Sequence, residues 1–213
     1  KKIEKNIQSS AREVRYDLLS DFCKKKSTKF ILTGHHSDDQ VETFLIRLSR
    51  GSGVQGLSSM DQISRLKDNI KLFRPLLDYK KKDLKYIAKS IFKKSFKDPS
   101  NKDNKYLRTR IRGLGKQLEI SGIHHDQIIQ SIKNLTISRN TLNNYLFKVT
   151  KNCVRRKKNE ILIDFRILDK EPDEIAQKII SYEIKHFVKS DYPPRSKKVQ
   201  NLLNLTKKNA QIK

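Results

Sequence analysis

The 213 residues suffice for one large domain or two small ones, and 48 Lys plus Arg against 23 Asp plus Glu give a formal charge of +25. No apolar run of about 18 residues occurs and Lys1 to Lys5 lead into no apolar signal core, so a helical membrane span and a secretion signal are not expected. Cys23 and Cys153 stand far apart in no paired motif, which argues against a disulfide framework and suits a reducing compartment; the expectation is a soluble cytoplasmic protein with no membrane partner.

The apolar residues Ile7, Ala11, Val14, Leu18, Leu19 and Phe22 recur at three- and four-residue spacing and predict a first helix. Phe30-Ile31-Leu32-Thr33, closed by Gly34, has the length of a strand and its turn. From Asp38 the positions Val41, Phe44, Leu45 and Leu48 share a helical face that ends at Gly51. Helix, strand and helix in this order predict an α/β layer with a parallel sheet. Asn69 to Leu72 reads as a further strand, Asp78 as the cap of a helix carrying Leu84, Ile87, Ala88 and Ile91, and Asp98-Pro99-Ser100-Asn101 as a turn. Beyond Gly115 the spacing of Ile128, Ile132, Leu135, Leu142, Leu146 and Val149 is helical, a basic run Arg155 to Lys158 interrupts, and Ile161 to Leu168 fits strand or helix. Pro172 opens another helix, and Pro193-Pro194 breaks the chain before a last one. The expectation is an α/β domain over residues 1–115 and a mainly helical domain over residues 116–213.

The most informative segment runs from Ile31 to Thr43. Ser37 and Gln40 form a capping-box pattern that starts the helix at Asp38. Asp38, Asp39 and Glu42 then occupy neighbouring helical positions just past the C-terminal end of a strand, where open α/β sheets bind ligands. One acid in a first helical turn only complements the helix dipole. Three carboxylates with His35 and His36 inside eight residues repel one another unless a cation, metal or proton relieves them, so an ammonium group or Mg²⁺ fits the cluster better than zinc does. His36 by itself reads as structural.

Three of the seven glycines, Gly51, Gly53 and Gly56, fall within six residues directly after this helix. Such a cluster requires a tight turn or a close approach to a ligand, and taken alone it reads as a helix stop flanked by Arg47 and Arg50. Further on, Arg108, Arg110 and Arg112 alternate after turn chemistry; they suit bidentate pairing with phosphate, and on composition alone they read as a solvated basic loop. The +25 charge favours a polyanion such as RNA, although a Lys-, Ile- and Asn-heavy composition yields the same charge without any partner.

Five segments carry a resemblance in one order along the chain: Ala11-Arg12-x-x-Arg15-Tyr16, Thr33-Gly34-His35-x-x-Asp38-Asp39-Gln40-x-Glu42-Thr43, Arg50-Gly51-Ser52-Gly53-x-x-Gly56-Leu57, Arg74-Pro75-Leu76 and Asp98-x-Ser100-Asn101-x-Asp103-x-x-Tyr106-x-Arg108. Together they resemble the tRNA(Ile)-lysidine synthases, which are PP-loop ATP pyrophosphatases. Pro194-Arg195-Ser196 resembles the family's helical substrate-binding domain. The resemblance implies a partial PP-loop domain followed by a helical tRNA-binding domain. It further implies ATP and Mg²⁺ as cofactors, free L-lysine and tRNA(Ile) as partners, and a homodimer as often in the family. By similarity Asp39 and Glu42, with Asp38 nearby, contact the lysine ammonium or Mg²⁺. His35 contacts nucleotide or base, Arg108 stabilises phosphate charge, and Arg47, Arg50, Arg112 and Arg195 bind phosphate or tRNA.

The sequence also departs from the family. No Ser-Gly-Gly-x-Asp-Ser loop, which grips the ATP pyrophosphate, occurs in the 213 residues, and the chain starts at Lys1 without Met. The expectation is a fragment inactive by itself, with that loop on a separate N-terminal piece. Thr109 stands where the family usually has Asn, and Gly113 to Gly115 replace a Pro-Leu stretch. A basic RNA-binding remnant without catalysis is the alternative reading. Another PP-loop tRNA-modifying enzyme is a second, in which a thiolase is disfavoured because Cys23 and Cys153 form no catalytic pair.

Overall fold

The computed structural model describes residues 7–66, 69–93, 105–190 and 193–210, which divide into two compact units between Ile137 and Ser138. The domain boundary expected near residue 115 lies inside the first of these units.

In the first unit, α1 (Ile7–Lys25) forms where the spacing predicts it. The stripe that carries the prediction is not the one that is buried: Val14, Leu18 and Phe22 are exposed, while Ser20 and Cys23 are buried with Tyr16 half-buried beside them. Cys23 packs with Ile31, Ile70 and Leu72, and Tyr16 and Leu66 lie against this small core.

The core belongs to a three-stranded sheet in the order β1 (Phe30–Leu32), β3 (Lys71–Phe73), β2 (Ile63–Arg65). β1 runs parallel to β3 with Ile31 opposite Leu72, and β2 runs antiparallel to β3 with Ser64 opposite Leu72. The sheet is therefore mixed rather than wholly parallel. β2 escapes prediction because Ile63-Ser64-Arg65 holds one apolar residue and shows no alternation; its pairing with β3 holds it in place. β3 begins later than predicted, since Asn69 takes φ 60° and turns the chain instead of extending it.

Around the sheet lie α2 (Ser37–Leu48), α3 (Val54–Leu57), α4 (Lys81–Phe92), α5 (Leu107–Gly113), α6 (Gly115–Ile120) and the first part of α7 (His125–Cys153). Lys80, not Asp78, is the residue that caps α4. The predicted turn at Asp98 to Asn101, and Asp103 with it, lies outside the described residues.

The second unit takes the rest of α7, a hairpin of β4 (Val154–Arg156) and β5 (Ile161–Ile163), α8 (Phe165–Leu168), α9 (Asp173–Phe187) and α10 (Ser196–Ala210). Its core includes Val149, Cys153, Leu168, Ile179, Ile180, Val199 and Leu203. The segment Ile161 to Leu168 that fits strand or helix becomes both, with Asp164 accepting the Arg166 N–H at 3.0 Å to cap α8. Half of the basic interruption becomes β4, where Arg156 pairs with Glu183 of α9, a residue 1% exposed. An α/β part followed by a mainly helical part is thus the architecture, with the short hairpin added to it.

Candidate active site

The site is built where β1 hands over to α2. His36 is the N-cap in an extended conformation, φ −129° and ψ −179°, and its N–H donates to Asp39 Oδ2 at 3.0 Å. The capping box is real but sits one residue earlier than the Ser37/Gln40 pattern predicts, because Asp39 reaches back in place of Gln40. Gln40 is thereby released to donate to the Met60 carbonyl and accept the Met60 N–H, both at 2.8 Å, which ties α2 to the segment after α3. Ser37 is buried, and its N–H donates to the Tyr79 carbonyl at 3.0 Å.

Each carboxylate of the cluster has a separate fate, and this resolves the repulsion anticipated from the sequence. Asp38 Oδ2 accepts the Lys81 N–H at 2.8 Å and so satisfies the first turn of α4. Asp39 caps its own helix, with His36 Nδ1 3.5 Å from its Oδ2. Glu42 is buried and held on both oxygens: Arg112 Nε donates to Oε1 at 2.6 Å and Arg112 Nη2 to Oε2 at 3.0 Å, while Arg108 Nε lies 3.2 Å from Oε2. The hydrogen bond to Glu42 raises the Arg112 pKa further, outweighing the opposing effect of burial.

The arginines reach Glu42 because their segment is helix α5 and not a basic loop. At helical spacing Arg108 and Arg112 lie one above the other on one face, whereas Arg110 is exposed. Arg108 Nη2 also approaches Thr43 Oγ1 at 3.4 Å.

His35 Nδ1 lies 2.9 Å from Thr33 Oγ1. Burial is the largest cause holding its pKa below the ordinary value; Asp39 opposes this, and Arg74, Arg12 and Arg108 reinforce it. The imidazole is therefore neutral near pH 7. Arg12 and Arg74 belong to the sequence motifs, which by themselves assign them no role. Arg74 is buried, donates from Nη1 to the Asp61 carbonyl at 2.7 Å and to Ser64 Oγ at 3.0 Å, and keeps a buried Nε with no hydrogen-bond partner. Arg12 lies over the Tyr16 ring, 5.2 Å from its centroid.

The remaining predicted residues lie elsewhere. Arg47 Nη1 donates to the carbonyls of Gly56 at 2.6 Å and Ser59 at 2.9 Å, so it braces the glycine turn. Gly51 takes φ +68°, and a Cβ on Gly56 would come 2.7 Å from Ser52 Cβ; the glycines here serve backbone packing. Arg50 is exposed beside this turn. Arg195, also exposed, precedes α10 in the second unit.

Beside Asp38, Glu42 and Arg112 a pocket of about 160 Å³ opens between α2, α5, α6 and the start of α7. Val41, Leu45, Ile111 and Leu118 give it apolar walls, and Asp38, Glu42, Arg112, Glu119 and His125 are its polar lining. Two guanidinium groups hold Glu42, and no group of three or more His, Cys, Asp or Glu suited to a metal occurs among the described residues.

A family profile for the PP-loop domain matches residues 1–118, more than half of the chain. The chain belongs to the PP-loop domain family. Within this PP-loop chain the match spans α1 to the first part of α6, and hence every side chain brought together around Glu42 and His35. The chain is similar to the tRNA(Ile)-lysidine synthase of Wolbachia pipientis wMel, 39% identical over 194 residues that make up 91% of this chain and 45% of that protein. It is 34% identical over 211 residues to the tRNA(Ile)-lysidine synthase of Orientia tsutsugamushi, covering 95% of this chain and 47% of that one. A third such synthase, from Ruegeria pomeroyi, is 31% identical over 201 residues, 94% of this chain and 48% of its own. The chain spans about half the length of these relatives. No helix among the described residues is long and apolar enough to cross a membrane.

Proposed function

We propose that this chain is part of a cytoplasmic tRNA(Ile)-lysidine synthase, which uses ATP to join lysine to C2 of the wobble cytidine in the CAU anticodon of tRNA(Ile). The cytidine C2 oxygen attacks the ATP α-phosphate and pyrophosphate leaves. The lysine amine, having lost a proton, then attacks C2 and AMP leaves with the oxygen. In this reading residues 1–115 form the catalytic part and residues 116–213 hold tRNA, Arg195 among them.

The observation that carries the reading is the set Glu42, Arg108 and Arg112 beside a neutral His35 at the C-terminal end of a parallel strand. Arg108 acts on the charge that builds on phosphate during adenylation, a role in which one lost donor costs about 10²–10³ in rate. Glu42 and Arg112 hold Arg108 in place. His35 offers an uncharged polar contact to nucleotide or base. Asp39, with Asp38 nearby, contacts the lysine ammonium. The 213 residues contain no Ser-Gly-Gly-x-Asp-Ser run, so in this reading the pyrophosphate grip is contributed from outside them.

Transfer of labelled lysine to tRNA(Ile) with ATP tests the proposal, using the chain alone and then with a segment carrying that loop. The expected result is incorporation in the mixture alone, lost in Asp39→Asn. No incorporation in either, with tRNA still bound, favours the second reading, an RNA-binding module that rests on the +25 charge.

A further inference from the structure

In the second unit the β4–β5 hairpin is tied to α9 through one charged pair. Arg156 Nε donates to Glu183 Oε2 at 2.8 Å, and Arg156 Nη2 donates to Glu183 Oε1. Glu183 is 1% exposed, whereas the Arg156 side chain is 53% exposed. A carboxylate taken out of water needs its partner in one geometry, and the fork formed through one edge of the guanidinium orients the whole group. Nη1, on the other edge, donates to no described residue.

An aromatic pair stands beside it. Tyr182 and His186, one turn apart on α9, have ring centroids 4.2 Å apart with their planes at 43°, and both are exposed, Tyr182 to 53%. At about 100° per residue, Glu183 with its arginine lies on one flank of this pair and Lys178 and Lys185 lie on the other. The bond to Glu183 does most to raise the Arg156 pKa, and Tyr182 adds to it, so the phenol is within electrostatic reach of the guanidinium. The core has no use for these rings, because α9 buries Ile175, Ala176, Ile179 and Ile180 on its other side. A ring pair at this spacing stabilises a helix by only about 0.2–0.5 kcal/mol, and that does not account for an oriented, exposed guanidinium next to it.

An aromatic face flanked by a fixed guanidinium and two ammonium groups suits a flat ring linked to an anion. A nucleotide outside a duplex offers both, since its base is free to stack and its phosphate to accept from Nη1. Paired RNA keeps its bases inside and offers the phosphate alone. We propose that Tyr182, His186 and Arg156 form a stacking site for one unpaired RNA nucleotide, with the base on the Tyr182 ring and the phosphate on Arg156. Glu183 is the positioning residue that aims the guanidinium. The inference rests on the reading that this part of the chain holds tRNA, and adds that the second unit tells unpaired from paired RNA.

The test measures RNA binding by the whole chain without ATP or lysine. Fluorescence anisotropy compares a single-stranded RNA of adenosines and cytidines, which cannot pair with itself, with the blunt duplex of that strand and its complement. Tyr182→Ala is expected to weaken single-strand binding about 5- to 140-fold, the fold-change equivalent to about 1–3 kcal/mol for one stacked base. Duplex binding should stay within about twofold, Tyr182→Phe should bind both RNAs as wild type does, and melting should be unchanged because the ring is exposed. The double variant Arg156→Gln, Glu183→Gln leaves no buried charge unpaired; it should lower the slope of log affinity against log salt on the single strand by about 0.7, the value of one phosphate contact. Unchanged single-strand binding in Tyr182→Ala, an equal loss on both RNAs, or a loss shared by Tyr182→Phe overturns the proposal and leaves the tRNA reading standing. Wild type that binds neither RNA overturns both.

Discussion

Replacing Glu42 with Gln keeps the shape of a buried side chain and removes the charge that two arginines share. The Glu42 side chain is 7% exposed, Arg112 31% and Arg108 41%. Breaking a fully buried pair by removing one partner costs about 3–5 kcal/mol. Water reaches both guanidinium groups here, which reduces the expected loss to about 2–3 kcal/mol. For a chain of this length each kcal/mol shifts Tm by roughly 2–4 °C, so the expected drop is about 4–12 °C. Thermal unfolding followed by circular dichroism reads it. A double-mutant cycle with Arg112→Gln should return a coupling of about 1–3 kcal/mol. Single losses that simply add, or an unchanged Tm in Glu42→Gln, would refute the view that Glu42 anchors α5 to α2.

Asp38→Ala should remove the side-chain acceptor for the Lys81 N–H and cost about 1 kcal/mol, with faster amide exchange in the first turn of α4; Asp38→Asn should cost much less, because its carbonyl oxygen can still accept. Gly56→Ala forces a methyl group toward Ser52 Cβ and is expected to lower the urea midpoint by about 1–3 kcal/mol in stability, a loss that adding Ser52→Gly should relieve. Burial keeps the folded His35 pKa below its unfolded value, so the unfolded chain takes up a proton that the folded chain does not. That stability is complete above about pH 6.5 and declines as the pH falls from there toward the folded pKa, and His35→Gln should flatten this part of the curve. An identical slope in wild type and variant contradicts the burial of a neutral imidazole.

Much of the fold follows from periodicity, and what does not has a physical cause. α2, α7 and α9 were legible because apolar spacing, Gly51 and Pro172 agree with the packing. α1 was legible as a helix, yet its conspicuous stripe is the exposed one, which the pattern alone could not reveal. The segment at Arg108 reads locally as a basic loop; its partner Glu42 lies 66 residues earlier for Arg108 and 70 for Arg112, and no local pattern contains such a pairing. For the same reason the acidic turn announces a cluster needing relief, while the partners on Lys81, His36 and the two arginines come from elsewhere in the fold or from the cap and are not written in that turn. Arg47 illustrates the converse, since a basic residue beside a glycine turn suggests an anion and in fact closes the turn on two carbonyls.

The two chemical steps assigned to the site can be separated in one assay. Exchange of labelled pyrophosphate into ATP, dependent on tRNA(Ile) and run without lysine, reports adenylation alone in the chain supplemented with the loop segment. The account predicts exchange that falls about 10²–10³-fold in Arg108→Met and persists in Asp39→Asn, whose part lies in the lysine step. Exchange that is absent throughout, or that Asp39→Asn abolishes while Arg108→Met leaves it intact, would contradict the assignment of adenylation to Arg108 and of lysine to Asp39.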